Sequence, residues 1–344
     1  MNLLCRENTS FMKGIALCLM FIHHLFAFPE RIVEPNYYIP IISNFKLEEI
    51  LGQIGQICVP IFLFLSGYGL SLNHDKNIDY FIKKIYSFYK DYWLVFFIFI
   101  PFGFYFLSGV NGYEFSIYEF TLNALALSSS YIGEAWFAGV YILLIMCTPI
   151  IQKLKNKQAI LLVLSLSLLA IYFYFFVFLK VNIYFDIVKN FLLWQFIFIV
   201  GCFFSWNKDN YYLSILTKDI NCYSYVFSII LFGLTLFLYD KLKIYGLIAI
   251  TPFFIYSCLC LSFLLNHNIF KFVSYIGENT LLLWLVHGFF CYYYFQELTY
   301  YPKISIVVFF NLLLLSFSAA FFLMYIKNIS YYFYNAIVRF IKNK

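Results

Sequence analysis

Long apolar runs, separated by short polar breaks, repeat along the whole chain. Ten of these runs reach the length of a membrane-spanning helix, which is about 18 residues or more. They lie near residues 11 to 28, 50 to 72, 92 to 109, 135 to 152, 158 to 179, 188 to 206, 223 to 239, 244 to 265, 279 to 296 and 304 to 326. This pattern predicts an all-α fold, a polytopic transmembrane helical bundle of about ten spans.

The composition supports a membrane protein. Of the 344 residues, 63% are hydrophobic and 12% are charged, and the mean hydropathy is +0.82. These values lie outside the range of soluble globular domains. Aromatic residues make up 24% of the chain, but they are spread through apolar runs and junctions alike. That distribution argues against base stacking, so we expect no nucleic-acid partner.

Nine cysteines are scattered through the chain, mostly inside apolar runs, with no C-x-x-C pair and no regular metal-ligand spacing. Such cysteines are typical of small buried side chains. We therefore expect neither disulfides nor a structural zinc site, and no metal cofactor.

The basic residues indicate how the chain is oriented. If the N-terminus is cytoplasmic, 16 of the 23 lysines and arginines fall on the inner side and 7 on the outer side. The positive-inside rule then favours both termini in the cytoplasm. The first apolar run is as long as a span and is followed by no small-residue cleavage site, so we expect it to be retained. The expected location is the inner (cytoplasmic) membrane.

Two segments combine basic and apolar residues as an amphipathic helix on a membrane surface does. The first covers residues 73 to 93, where four lysines alternate with apolar positions. The second begins at Lys327, and residues 331 to 344 form a predicted basic cytoplasmic tail. Either segment could anchor the chain to anionic lipid or contribute to binding an anionic cofactor.

Three ionisable residues lie in the first apolar run, which reads KGIALCLMFIHH from Lys13 to His24. In a helix, Lys13 and His24 are separated by about 16 Å along the axis and by about 20° around it, and His23 lies roughly 80° off that line. We therefore expect Lys13 at the cytoplasmic interface and His24 on the same face, well inside the membrane. Ionisable residues at that depth usually face a bundle interior or a cavity.

Histidine suits general base catalysis because the ordinary pKa of an imidazole lies near neutrality. His24 is the principal candidate for that role, whereas His23 fits a hydrogen-bonding core residue. His287 lies about midway through the ninth run and is a second ionisable group at depth, either functional or part of the core.

Two other clusters have both a packing and a functional interpretation. Residues Ser66 to Gly69 permit a kink or a close helix contact, although ordinary packing explains them too. Glu134 and Trp136 open the fourth run at the outer interface, where an anchoring tryptophan is common.

Four segments, in this order, resemble the acyltransferase 3 family of integral membrane acyltransferases. In the first helix, members of this family carry a basic residue and then, after ten intervening residues, a histidine. Lys13 and His24 match this spacing. The stretch VPIFLFLSGYGLSL is similar to its second-helix pattern of Pro, Phe and Ser-Gly-Tyr, and AWFAGVYILLIMCTPII is similar to its Trp-Phe and Pro segment. The stretch YIGENTLLLWLVH resembles its Tyr-x-Gly, Ser or Thr, and His near the ninth helix. The resemblance covers residues 9 to 326.

The resemblance implies a transmembrane acyltransferase domain, residues 1 to 330, that moves an acyl group to a hydroxyl of a cell-surface polysaccharide or a lipid-linked glycan precursor. The donor is usually acetyl-CoA, used as a cosubstrate. His24 would be the essential histidine, with Lys13 as its basic partner and His287 in support. The residues expected to bind the donor are Lys13, Lys83, Lys84, Ser66 and Tyr68, and those expected to bind the acceptor are Glu134 and Trp136.

The chain departs from the family pattern in two respects. Many members have an Arg-x-x-Arg pair in an early cytoplasmic segment, whereas arginine occurs here only at positions 6, 31 and 339. Lys83 and Lys84 are the candidates to replace that pair near the phosphates of CoA. Some members also carry a fused C-terminal hydrolase-like domain, which is not seen in these 344 residues. We expect the chain to act alone or with a separate partner that completes transfer outside the cytoplasm.

Two other classes of protein are consistent with the same observations. A transporter or flippase for a sugar-lipid or a proton-coupled solute would use the histidines as a relay, but no inverted repeat is visible in the sequence. A non-catalytic scaffold would not explain why the ionisable residues Lys13, His24 and His287 occur in apolar segments. We therefore expect an O-acyltransferase whose partners are acyl-CoA, a glycan acceptor and the lipid bilayer.

Overall fold

The computed structural model describes residues 4–42, 46–72, 77–107, 114–181, 186–208 and 222–342, with side chains for all of these except 222 and 330–342. Nearly all of the described chain is helical, and no β-strand occurs in it. The helices are α1 (Arg6–Phe26), α2 (Leu47–Ile54), α3 (Cys58–Ser71), α4 (Ile78–Phe106), α5 (Ile117–Ala124), α6 (Trp136–Lys153), α7 (Gln158–Tyr172), α8 (Asp186–Trp206), α9 (Cys222–Leu242), α10 (Ile244–Ser262), α11 (His267–Glu278), α12 (Thr280–Gly288), α13 (Gln296–Tyr300) and α14 (Ser305–Lys342). A 3₁₀ turn at Gly133–Ala135 leads into α6, and π-helical turns at Phe173–Phe178 and Phe289–Tyr293 follow α7 and α12.

Eight helical segments of the described chain are long and apolar enough to cross a membrane, and a ninth is counted if α11 and α12 form one bent span. The predicted all-α transmembrane bundle is therefore confirmed. The number of spans is eight or nine by this measure, compared with about ten predicted from the hydrophobic pattern. The cytoplasmic position of both termini stays a prediction.

The predicted span at residues 92 to 109 accounts for the difference. Helix α4 begins at Ile78, where the Asn77 side chain accepts a hydrogen bond from the Tyr80 backbone N–H, and it continues to Phe106. The basic segment predicted at the membrane surface and the span after it are therefore one helix. Because charged residues occupy the first half of α4, its apolar part is shorter than a bilayer requires. The first residues of the predicted basic segment, 73–76, lie outside the described chain.

The predicted ninth span, residues 279 to 296, is not straight. Helices α11 and α12 meet at Asn279 with a bend of 71°. The Asn279 side chain donates a hydrogen bond to the Tyr275 carbonyl oxygen, an acceptor that the end of α11 leaves open. His287 consequently lies on the short helix α12, after the bend, instead of midway along a continuous span.

Paired glycines set the closest approach of α3 and α8. A Cβ atom added at Gly67 would lie 2.0 Å from the Phe198 carbonyl oxygen, and one added at Gly201 would lie 2.1 Å from the Phe64 carbonyl oxygen. Residues without a side chain are what allow helices in a membrane to pack backbone against backbone. The Ser66 to Gly69 cluster thus includes a packing residue, as the alternative interpretation of the sequence proposed.

Helices α1 and α11 approach each other in the same way. A Cβ atom at Gly277 would lie 1.7 Å from the Ser10 carbonyl oxygen, and one at Gly14 would lie 2.0 Å from the Val273 carbonyl oxygen. This contact brings the bend between α11 and α12 against the turn of α1 that carries Lys13.

Helix α7 presents most of its surface outward. Only Leu161, Ser165 and Tyr172 are buried on it, and six other positions expose large apolar side chains, as is expected of a helix that contacts lipid. The buried Ser165 hydroxyl donates a hydrogen bond to Oε1 of Gln195 on α8 at 2.7 Å, which satisfies a polar group inside the bundle.

The last helix, α14, continues through residue 342 and so includes most of the predicted tail, 331 to 344. Residues 343 and 344, and the side chains from 330 on, lie outside what the structure describes. The amphipathic character of the tail stays a prediction.

Candidate active site

A cavity of about 980 Å³ extends along α1 and is lined by residues from Arg6 at one end of that helix to His24 at the other. Eighteen residues of α-helix rise about 27 Å, which is close to the thickness of the hydrocarbon core of a bilayer. Residues of α3, α4, α6, α8, α10, α11 and α12 complete the walls. The cavity therefore follows most of the length of α1.

One end of the cavity is basic. Arg6, Lys13 and Lys84 line it, and Lys84 lies close enough to Lys13 to repel it electrostatically. None of the three takes part in an ion pair among the described residues, although Glu278 also lines this part of the cavity. Lys83 is exposed and does not line the cavity. The structure thus brings two of the three predicted donor-binding lysines, Lys13 and Lys84, to one place.

His24 lies at the other end, and its ring is fixed by Tyr292. The Tyr292 hydroxyl lies 2.7 Å from His24 Nδ1 and 2.7 Å from the His24 carbonyl oxygen. A carbonyl oxygen only accepts hydrogen bonds, so the single hydroxyl proton is donated to it, and Nδ1–H of His24 donates to the phenolic oxygen. In the neutral ring, Nε2 is then unprotonated and has a free lone pair.

His287 is fixed in the same tautomer. Its Nδ1 lies 2.6 Å from the Trp284 carbonyl oxygen, so Nδ1 carries the proton and donates it. The side chain is fully buried, and Nε2 has no hydrogen-bond partner among the residues that the structure describes. The His287 ring lies 4.9 Å from the His24 ring and stacks on Phe21 at 5.3 Å, between ring centroids. The structure thus brings together two histidines that are far apart in the sequence.

Glu134 completes the group. It lies in the 3₁₀ turn before α6 and lines the cavity, and its Oε2 accepts a hydrogen bond of 3.2 Å from the Tyr293 hydroxyl. The same hydroxyl accepts a hydrogen bond of 2.7 Å from the Gly133 backbone N–H. A Cβ atom at Gly288 would lie 2.9 Å from Glu134 Oε2, so the glycine after His287 leaves room for the carboxylate.

One ligand atom from each of His24, Glu134 and His287 lies within 4.8 Å of the other two. We refer to these three residues as the His–Glu–His cluster. Two imidazole nitrogens and a carboxylate oxygen at this separation can accept and release a proton together, or can hold a metal ion.

Tyr292 and Tyr293 were not identified from the sequence. The π-helical turn Phe289–Tyr293 directs these consecutive side chains to different members of the cluster, Tyr292 to His24 and Tyr293 to Glu134. Turns of this kind are frequent at functional sites. In a chain with 32 tyrosines, nothing in the local sequence distinguishes these two.

Arg31 was also missed as part of the site. Its guanidinium carbon lies 3.9 Å from the centre of the Phe28 ring and 5.6 Å from that of Tyr292, in the connection after α1. The sequence showed it only as a basic residue on the predicted outer side.

His23 has a different environment from His24. Its Nδ1 lies 2.7 Å from the Gly52 carbonyl oxygen at the close contact between α1 and α2, and the residue is buried. It also borders the cavity, but it is not a member of the His–Glu–His cluster. The predicted contrast between a hydrogen-bonding His23 and a candidate His24 agrees with this geometry.

The remaining predicted residues divide between cavity and core. Ser66 and Trp136 line the cavity, and Trp136 stacks on Trp194 with 6.1 Å between ring centroids. Tyr68 is buried and does not line the cavity. It follows Gly67 at the close contact of α3 with α8.

Long apolar helices around a cavity that contains ionisable side chains define this chain as a multi-pass membrane protein with a polar internal site. Residues 9–326, nearly the whole chain, match the model of the family described as Acyltransferase domain. The chain belongs to this family, the acyltransferase 3 family that its sequence resembles, and is a membrane acyltransferase. No curated protein and no solved structure matches the chain.

Proposed function

We propose that this acyltransferase moves an acyl group, acetyl from acetyl-CoA, to a hydroxyl of a cell-surface polysaccharide or a lipid-linked glycan precursor at the cell envelope. The observation that carries the proposal is the fixed tautomer of His24, which leaves Nε2 available as a base in a cavity with a basic far end.

The basic end suits the donor. CoA carries several phosphate charges at one end and its thioester at the other, on a flexible arm. Arg6, Lys13 and Lys84 supply cationic groups without acidic partners in the described ion pairs, and phosphate oxygens are strong acceptors for such groups. The thioester then extends along α1 toward His24.

The His–Glu–His cluster suits the transfer step. Nε2 of His24 takes the proton of the acceptor hydroxyl as its oxygen attacks the thioester carbonyl carbon, so an ester C–O bond forms and the C–S bond breaks. The sulfur leaves as a thiolate and takes the proton back from His24, which gives the ester and free CoA. The carboxylate of Glu134 stabilises the imidazolium that exists between these steps, and His287 supports the ring of His24.

The aromatic wall near Glu134 suits a sugar acceptor. Trp136 and Trp194 form a stacked pair on the cavity wall, and sugar rings present C–H groups that pack on aromatic faces. Glu134 offers an acceptor for a sugar hydroxyl next to the base. These features suit a glycan that bears hydroxyl groups.

The direct test uses membrane vesicles from cells that produce the chain, supplied with acetyl-CoA labelled in the acetyl group. Label should appear in the envelope glycan as an alkali-labile ester, and His24→Ala should remove it at equal protein levels. Labelled succinyl-CoA, run in parallel, measures the donor preference. Movement of a sugar-lipid across the membrane without any acyl transfer would instead favour the transporter alternative and contradict the proposal.

A further inference from the structure

The His–Glu–His cluster is rich in acceptors and short of donors. Within the described chain, Nε2 of the buried His287 has no hydrogen-bond partner, Nε2 of His24 forms no hydrogen bond, and Glu134 contributes a carboxylate. Three lone-pair donors this close together, one of them on a fully buried ring, repel one another unless a proton or a cation lies between them. The unpartnered nitrogen of His287 therefore points to a ligand that this site is built to accept.

The surroundings of the two rings match those of metal-binding histidines. A histidine that binds a metal through one nitrogen usually donates its other N–H to a carbonyl or a comparable acceptor, which fixes the tautomer and the ring orientation. His287 donates Nδ1–H to the Trp284 carbonyl oxygen, and His24 donates Nδ1–H to the Tyr292 oxygen. Both rings thus present the nitrogen that a metal would use.

The distances are close to those of a bound ion. Ligand atoms at about 2.0–2.2 Å from zinc lie about 3.4 Å apart in a tetrahedral site. The three ligand atoms lie within 4.8 Å of one another, so they need to approach by at most about 1.4 Å. The two rings are held by hydrogen bonds of 2.7 and 2.6 Å, whereas the Glu134 carboxylate accepts a longer one, of 3.2 Å, from Tyr293. We therefore expect the Glu134 side chain to make most of this adjustment.

We propose that the His–Glu–His cluster binds one divalent transition-metal cation of the Zn²⁺ class, through Nε2 of His24, Nε2 of His287 and a carboxylate oxygen of Glu134. Two imidazoles and one carboxylate are a ligand set that zinc uses in proteins, with a fourth position left for another ligand. His24 and Glu134 line the cavity, so that position is reached from it.

Metal binding has a functional consequence. The lone pair of His24 Nε2 is the one that the proposed base uses, so a bound cation and an acceptor hydroxyl compete for it. The metal is then a reversible inhibitor of transfer. This consequence rests on the proposed function, but the binding of the cation does not.

Binding is tested on the full chain, purified in detergent and freed of metal with a chelator, with Co²⁺ as a spectroscopic probe. We expect one Co²⁺ per chain, with the weak visible bands of nitrogen and oxygen ligands, displaced by Zn²⁺. His287→Ala and Glu134→Gln should each abolish this spectrum, and Tyr292→Phe should weaken binding about 10- to 100-fold, as loss of a hydrogen bond to a ligand does. His23→Asn, which keeps a donor toward Gly52, should bind Co²⁺ as the unaltered chain does.

Several outcomes would overturn the proposal. These are the absence of a Co²⁺ spectrum from chain that is folded and monodisperse, a spectrum that survives His287→Ala, or the intense bands of thiolate ligation, which would place the ion on cysteines. A transfer assay with added Zn²⁺ separates the two proposals. Inhibition that a chelator reverses supports both, Co²⁺ binding without any transfer activity removes only the proposed function, and transfer without Co²⁺ binding removes only the metal site.

Discussion

The hydroxyl of Tyr292 contacts His24 twice, at the ring and at the backbone, with 2.7 Å to each atom. The two residues are 268 positions apart in the chain, and the contact joins the first transmembrane helix to the turn after α12. It determines which nitrogen of His24 carries the proton. In the proposed mechanism, catalysis by His24 therefore depends on a tyrosine that is not itself expected to react.

Replacement of His24 by alanine removes the proposed base. Acyl transfer to glycan should fall by about 100- to 10,000-fold, the usual contribution of a general base. The measurement is the rate of label transfer from acyl-CoA in membrane vesicles with matched protein levels. The adjacent control is His23→Asn, which should keep most of the activity because His23 bonds to the Gly52 carbonyl oxygen. The reverse ranking of the two variants would contradict the assignment of His24.

Replacement of Tyr292 by phenylalanine removes the hydroxyl and leaves the ring. The preference for the Nδ1–H tautomer of His24 is then lost, along with hydrogen bonds worth about 0.5–1.5 kcal/mol each. We expect the maximal rate to fall about tenfold while the KM for acyl-CoA is unchanged, since the proposed site for the donor phosphates is at the other end of the cavity. Steady-state kinetics at saturating acceptor measures both values. An increase in KM with no change in the maximal rate would show that Tyr292 does not position the base.

Lys13 and Lys84 should control donor affinity. Lys84→Gln should raise the KM for acyl-CoA by about 10- to 100-fold, because a hydrogen bond to a charged group contributes about 1.5–3 kcal/mol. The effect should shrink as salt is raised, since screening weakens the interaction in the unaltered chain. Lys83→Gln is the matched control, because Lys83 is exposed, adjacent in sequence and outside the cavity lining. Equal effects of the two variants would indicate binding to lipid in place of donor.

Gly67 and Gly69 provide a test of the helix packing. A methyl group at Gly67 meets the Phe198 carbonyl oxygen, whereas a methyl group at Gly69 meets nothing within 4 Å. Gly67→Ala should destabilise the folded chain by about 1–3 kcal/mol through overpacking. Gly69→Ala should leave stability unchanged or raise it by up to about 1 kcal/mol, because alanine favours helix. Thermal unfolding in detergent compares the two variants, and similar midpoints would mean that α3 and α8 are not this close.

The sequence was sufficient for features that depend on one helix. The helical period places Lys13 and His24 on one face, and both line the same cavity. It also separates His23, whose partner lies on α2. Hydropathy located the spans, except where charges at the start of α4 shorten its apolar part. These are local properties, and they can be predicted from the spacing and composition of residues within one segment.

Features that join distant segments could not be obtained in this way. The contact between His24 and His287 requires α1 and α12 to be neighbours, and the bend at Asn279 determines where α12 points. From the sequence, the position of Glu134 just before α6 predicts an interface residue as well as an acceptor-binding one. Only the folded chain shows that the turn before α6 brings it to the two histidines.

The π-helical turn Phe289–Tyr293 places a limit on chain length as well as on residue type. Its hydrogen bonds reach one residue further than those of an α-helix, so it corresponds to a helix with a single residue inserted. Deletion of any one residue there would return the turn to α-helical pitch. The two tyrosine side chains would then be rotated about the helix axis, away from His24 and Glu134. Substitutions that keep five residues in the turn preserve these positions. A one-residue deletion is expected to break the hydrogen bonds of Tyr292 to His24 and of Tyr293 to Glu134 together.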